Sequence, residues 1–133
     1  MDNANASSSV PAIARSGKQA SWHPVPTHVV DTLMPRLKDT ELRVLLVVLR
    51  QTWGWKTDGT ETSPGRRTKR RDWLSHNQLC QRTGRSSDAV SGAVASLTAA
   101  GLIVVEDAGG HPLRTPEERR RCLGRLYFRP GAF

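Results

Sequence analysis

Residues 74–103 read LSHNQLCQRTGRSSDAVSGAVASLTAAGLI, and their spacing predicts two short helices joined by a tight turn. Ser75 stands as an N-cap, and Leu79 and Cys80 fall where a helix over His76 to Thr83 would bury them. Gly84 supplies the left-handed turn that ends this helix. Ser86 opens a second helix in which Val90, Ala93, Val94 and Leu97 recur at i, i+3, i+4 and i+7, leaving one face apolar and the other small and polar. Gly101 stops it, and the compact run Leu102 to Val105 predicts a strand. A helix-turn-helix followed by a strand is the result.

Upstream, PTHVVDTLMPRL (26–37) predicts a short helix capped by Thr27, with Val30, Leu33 and Met34 facing inward before Pro35 breaks it. The long pattern from Thr40 to about Thr52 predicts a second helix, with Asp39 as its cap and Glu41 at the positive end of its dipole. Leu42, Leu45, Leu46 and Leu49 form its expected buried stripe. Between Trp55 and Trp73 the composition turns to Gly, Thr, Pro and charge, and GRRTKRR packs five cations into residues 66–71. A mobile basic loop over residues 56–72 is expected there.

Downstream, LIVVED and GRLYFR predict two strands, with Leu102, Val104, Leu126 and Phe128 pointing inward. The long connection between them, 108–124, carries Arg114, Arg119, Arg120 and Arg121, and its TPEERRR stretch suits a short helical turn. The expected fold class is therefore mainly α with a small β-hairpin: a winged helix-turn-helix, a three-helix core plus a wing. It should occupy residues 25–133. Residues 1–24, rich in Ala, Ser and Asn, predict a flexible tail.

With 20 Lys and Arg against 12 Asp and Glu, the net charge is +8 and the pI about 10.7, which directs attention to a polyanionic partner. Duplex DNA is the expected one. An anionic membrane fits less well, because the cations do not lie along one amphipathic helix. No stretch has the roughly 18 to 20 apolar residues of a membrane span, and the first residues carry neither the basic start nor the apolar run of a signal peptide. Cys80 and Cys122 form no CxxC, and His23, His28, His76 and His111 have no ligand spacing, so no disulfide, metal or cofactor is expected. Both thiols read as reduced, and the expected location is cytoplasmic, associated with the nucleoid. Catalysis is not expected either: the chain has no GxxxxGK[ST] loop, no nucleophile elbow, no HExxH and no paired acid cluster for metal-assisted phosphoryl chemistry.

Three blocks, ELRVLLVVLRQTWGWKTDGT (41–60), WLSHNQLCQRTG (73–84) and VSGAVASLTAAGLI (90–103), resemble in order and spacing the N-terminal domain of lambdoid phage replication protein O and related phage and plasmid replication proteins. The first block is the most specific, combining a helix, Arg50, Thr52 and the Gly54-Trp55-Lys56 tripeptide. The resemblance covers roughly residues 25–107. It implies a winged helix that binds duplex DNA in replication initiation, with a replication-machinery partner. A transcriptional regulator on the same fold is the alternative, and a protein-interaction module a more distant one. Palindromic sites and a homodimer on DNA would mark the regulator, whereas iterated origin sites would mark the initiator.

In a helix-turn-helix the second helix enters the major groove with its N-terminal, outward residues toward base edges. Here Arg85, Ser87, Asp88 and Ser91 are the candidate readers, and only Arg85 suits guanine. Asp88, in the first turn, equally answers the helix dipole. Phosphate or wing contacts are expected from Lys56, Arg66, Arg67, Lys69, Arg70, Arg71, Arg114, Arg119, Arg120 and Arg121. Trp53, Trp55 and Trp73 read as packing residues, with stacking on unpaired bases as the other option.

Overall fold

The computed structural model describes residues 22–53 and 69–132. It is mainly helical, with a small three-stranded antiparallel sheet: a π-helical segment Val29–Leu33, then α1 (Asp39–Gln51), β1 (Asp72–Trp73), α2 (His76–Thr83), α3 (Ser87–Ala99), β2 (Ile103–Glu106), α4 (Pro116–Arg121) and β3 (Tyr127–Pro130). The expected tail lies almost wholly outside the described residues, as do positions 56–68 of the expected basic loop.

Helix α1 is the spine of the core, packed chiefly on α3 and also on α2 and β3. Val44, Leu45, Val48 and Leu49 are fully buried, each removal from water worth roughly 1.5–3 kcal/mol. The expected stripe is thus rotated. Val44–Val48 and Leu45–Leu49 form two adjacent i, i+4 rows, and Leu46, one residue past that arc, is 36% exposed. The cap is also displaced by one: Lys38 holds the extended N-cap position and its N–H donates to Glu41 Oε1 at 2.7 Å, which frees the Asp39 carboxylate for other partners.

The preceding segment corrects the sequence reading more strongly. Val29, not Val30, enters the core, while Val30 is 51% and Met34 44% exposed. The π-helical winding explains this, because it closes Met34 N–H onto Val29 O and changes the angular step on which the α-helical assignment rested. Thr27 is not its cap, a position held by His28 without a side-chain hydrogen bond.

Helices α2 and α3 follow the predicted pattern closely. Ser75 Oγ accepts from Gln78 N–H at 3.0 Å while Gln78 Oε1 accepts from Ser75 N–H at 2.9 Å, a reciprocal cap. Gly84 ends α2 at φ 69°, a left-handed conformation that a side chain would strain. Ser86 caps α3, and Val90, Ala93, Val94 and Leu97 are its buried residues. Cys80 is half-buried beside Leu79 rather than enclosed. Arg43 of α1 donates to Thr83 O at 2.7 Å, satisfying a terminal carbonyl of α2 and fixing the two helices together.

The sheet has the order β1-β3-β2, so the expected hairpin gains a third strand. Pairs Asp72↔Phe128 and Trp73↔Tyr127 join β1 to β3, and Ile103↔Pro130 through Glu106↔Tyr127 join β2 to β3. Strand alternation then places Ile103, Val105 and Phe128 inward. Val104, expected inside, faces outward opposite Arg129 and is only half-buried. Two contacts anchor the sheet edges. Gly131 N–H donates to Leu102 O at 2.8 Å, and a Cβ there would sit 1.9 Å from Gly101 O. Gly131→Ala is therefore expected to cost roughly 1–3 kcal/mol, seen as a fall of several degrees in the thermal midpoint.

At the other edge Asp72 ties β1 to α1. Its carboxylate accepts from Gln51 Nε2 at 2.8 Å, Lys69 Nζ at 2.9 Å and Trp73 N–H at 2.9 Å. Burial by itself would raise its pKa, but these hydrogen bonds outweigh it and hold the group below the usual carboxylate value. A group depressed in the folded state stabilises above its unfolded pKa, about 3.9, and loses that contribution as pH falls through the folded value. Acid titration of stability should thus fall more steeply below about pH 4 in the wild type than in Asp72→Asn. An equal slope in the two proteins would remove Asp72 from the acid limb.

Candidate nucleic-acid interface

The outward face of α3 presents Ser87, Ser91, Gly92 and Ala95 to a groove of about 640 Å³. Its far wall is α4, through Pro116, Arg119 and Arg120, and its floor is the apolar underside formed by Leu74, Leu79 and Phe128 among others. The predicted helical turn in TPEERRR is real. Thr115 Oγ1 accepts from Glu118 N–H at 3.2 Å, and Pro116 occupies the first turn where its missing N–H costs nothing. Of the arginines on this short helix, Arg119 and Arg120 line the groove opposite α3.

Gly92 lies mid-helix on the groove-facing side of α3. A Cβ there would meet nothing within 4 Å, so the backbone stands open at mid-helix. Ser91 is exposed beside it. Ser87, however, is engaged: its Oγ lies 2.8 Å from His76 Nε2, a hydrogen bond joining the first turns of α2 and α3. Nothing in the spacing signalled this pair, because His76 and Ser87 are eleven residues apart and meet only through the angle between the helices. Asp88 is exposed in the first turn of α3, where it complements the dipole.

Arg85, the one candidate for guanine, pairs with Asp39, which also binds Arg43 Nε at 3.0 Å. The Arg85 hydrogen bond is the main reason that the Asp39 pKa lies below the ordinary carboxylate range, with the Arg43 charge adding to it. Asp39 remains ionised at neutral pH and holds Arg85 through one Nη, which leaves the other guanidinium N–H groups for a base or phosphate.

The chain matches no known family model, no curated protein and no solved structure.

The cation set divides by what each guanidinium or ammonium already holds. Lys69 pairs with Asp72 at 2.9 Å, and Arg120 with Glu117 at 3.3 Å. Arg119 donates to Leu113 O at 3.1 Å, half-buried against the loop it braces. Arg71 is not part of a mobile loop: it donates to Glu106 Oε1 at 3.3 Å, Asp107 O at 3.0 Å and Ala108 O at 2.9 Å. Arg70, Arg114 and Arg121 are exposed and hold no acid among the described residues. Lys56, Arg66 and Arg67 fall outside the described residues. Also among the described residues, no group of three His, Cys, Asp or Glu could hold a metal ion, and no helix is long and apolar enough to cross a membrane.

Proposed function

We infer that this chain is a winged-helix protein that binds double-stranded DNA, with α3 in the major groove and the α4 segment as part of the wing. The observation that carries the reading is an open, small-residue helix face at Ser91, Gly92 and Ala95 with Arg119 and Arg120 of α4 across one groove, in a chain of net charge +8. Small side chains let a helix lie close to base edges, and the surrounding cations supply affinity through counterion release. Direct readout is thin. The α3 N-terminal region offers the Ser91 hydroxyl and the Arg85 N–H groups that Asp39 does not bind. Affinity should accordingly be strongly salt-dependent and only modestly sequence-selective.

Six candidate cations hold no acid among the described residues or lie outside them: Arg70, Arg114, Arg121, Lys56, Arg66 and Arg67. With about six phosphates neutralised, log K against log salt should have a slope near −5. Titration of a labelled duplex between about 50 and 200 mM salt measures it. A slope near zero would remove the electrostatic basis of the proposal. The three sequence blocks that resemble the lambdoid phage replication O domain favour a role in replication initiation of a phage, plasmid or mobile element, and selection from a random duplex pool would separate iterated origin-like sites from palindromic operators.

A further inference from the structure

The other side of the sheet carries a second arrangement that duplex binding by α3 does not use. Strand alternation turns Leu74, Phe128 and Val105 into the core, so residues of opposite parity face outward. These are Trp73 on β1, Tyr127 and Arg129 on β3, and on β2 Val104 and Glu106, the last buried beneath Arg71 and Arg129 at 7% exposure. Arg71 and Arg125 share that parity just outside the strands. In sequence the pattern is Arg71-x-Trp73 and Arg125-x-Tyr127-x-Arg129, aromatic and cationic residues at a two-residue period.

Trp73 and Tyr127 are direct cross-strand partners, and both are half-exposed. Each ring is capped by a guanidinium: Arg125 lies 4.2 Å from the Trp73 ring centroid and Arg71 4.4 Å from that of Tyr127. A planar cation therefore already occupies the stacking position over each ring, a position that a nucleobase can take by the same contact. The displaced guanidinium would then be placed to meet phosphate. Three arginines flank this pair against one outward acid, Glu106, which Arg71 and Arg129 share at 3.3 and 3.0 Å.

We propose that this outer sheet face is a binding site for single-stranded nucleic acid, in which Trp73 and Tyr127 stack successive unpaired bases while Arg125, which holds no acid among the described residues, meets the backbone directly and Arg71 and Arg129 do so by exchanging Glu106 for phosphate. Aromatic residues on adjacent strands suit unpaired bases and not a closed duplex, whose ring faces are already stacked. The site is separate from the α3 groove, so the chain would hold a duplex on one side and an opened strand on the other.

The test uses the full chain and a fluorescent oligothymidylate of roughly twelve nucleotides, within the usual footprint of such sites. Anisotropy at about 0.1 M salt is compared for wild type, Trp73→Leu, Trp73→Phe and Tyr127→Leu, with a random duplex measured in parallel and thermal unfolding as the folding control. Loss of one stacking ring should weaken oligothymidylate binding about tenfold. Trp73→Leu and Tyr127→Leu are expected to show that loss, Trp73→Phe to stay within about threefold of wild type, and all to keep duplex affinity. No oligothymidylate binding by wild type, equal affinity in Trp73→Leu and wild type, or parallel loss of duplex affinity in a folded Leu variant would each overturn the proposal. Failure of duplex binding alone, with oligothymidylate binding retained, would instead strike the reading of α3.

Discussion

Gly92→Glu is expected to weaken duplex binding by roughly a hundredfold at about 0.1 M salt while leaving the fold intact. One added like charge among the phosphates accounts for nearly a factor of ten. Lifting the helix from the base edges accounts for the rest, at roughly 1–3 kcal/mol for a disturbed base position. The fold should tolerate the change because a Cβ at Gly92 meets nothing within 4 Å, and replacing a mid-helix glycine removes an entropic penalty. Gly92→Ala supplies the control: a gain of roughly 0.5–1 kcal/mol in stability, with duplex affinity close to wild type. If Gly92→Glu binds duplex as tightly as wild type, the outward face of α3 does not lie against DNA, whatever the basic segments do. Oligothymidylate binding at the opposite sheet face should be unchanged in the same variant, so the two sites can be judged apart.

How far the sequence disclosed this fold depends on whether a signal was local. The two helices of residues 76–99 were legible because caps, a positive-φ glycine and i, i+3, i+4 spacing are all written within a few residues, and each matches the structure at Ser75, Gly84 and Ser86. The first helical segment departs from the sequence reading because its π winding rests on i, i+5 closure, as of Met34 N–H onto Val29 O, which composition does not encode. Val104 was misplaced for a different reason. A run of four apolar residues, Leu102 to Val105, has no period of its own, and only pairing with β3 sets which members face inward.

The candidate interface divides in the same way. Ser91 and the open helix face follow from the helix period alone. The engagement of Arg85 by Asp39, of Ser87 by His76 and of Arg71 by Glu106 spans 46, 11 and 35 residues, and such contacts exist only once the helices and strands are packed. Charge composition gives the net sign of the chain, but it does not say which cations are already neutralised. The alternating Arg71-x-Trp73 and Arg125-x-Tyr127-x-Arg129 pattern is visible in the letters, yet β1 is two residues long and carries no strand signal, so only the pairing with β3 joins the two halves into one face.

Phe128→Ala is expected to produce the largest loss of stability, about 3–5 kcal/mol. Phe128 lies on the central strand, is 2% exposed, and pairs with Asp72 on one side and Val105 on the other. Its ring joins sheet to helices and also forms part of the groove floor beneath α3. Truncation leaves a cavity that the flanking strands cannot readily close, because β1 is tethered by Asp72 to Gln51 and the chain after β3 by Gly131 to Leu102. At roughly 0.05–0.15 kcal/mol per residue, about 100 residues have only some 5–15 kcal/mol in total, so this one truncation should remove a large share of the stability. Urea titration should move the midpoint down with little change in slope. Leu123→Ser provides the contrast, since Leu123 is fully exposed and its loss should stay within about 0.5 kcal/mol. A loss below about 1 kcal/mol in Phe128→Ala would mean that the sheet is not packed on the helices through this residue, and the groove between α3 and α4 would then lack its floor.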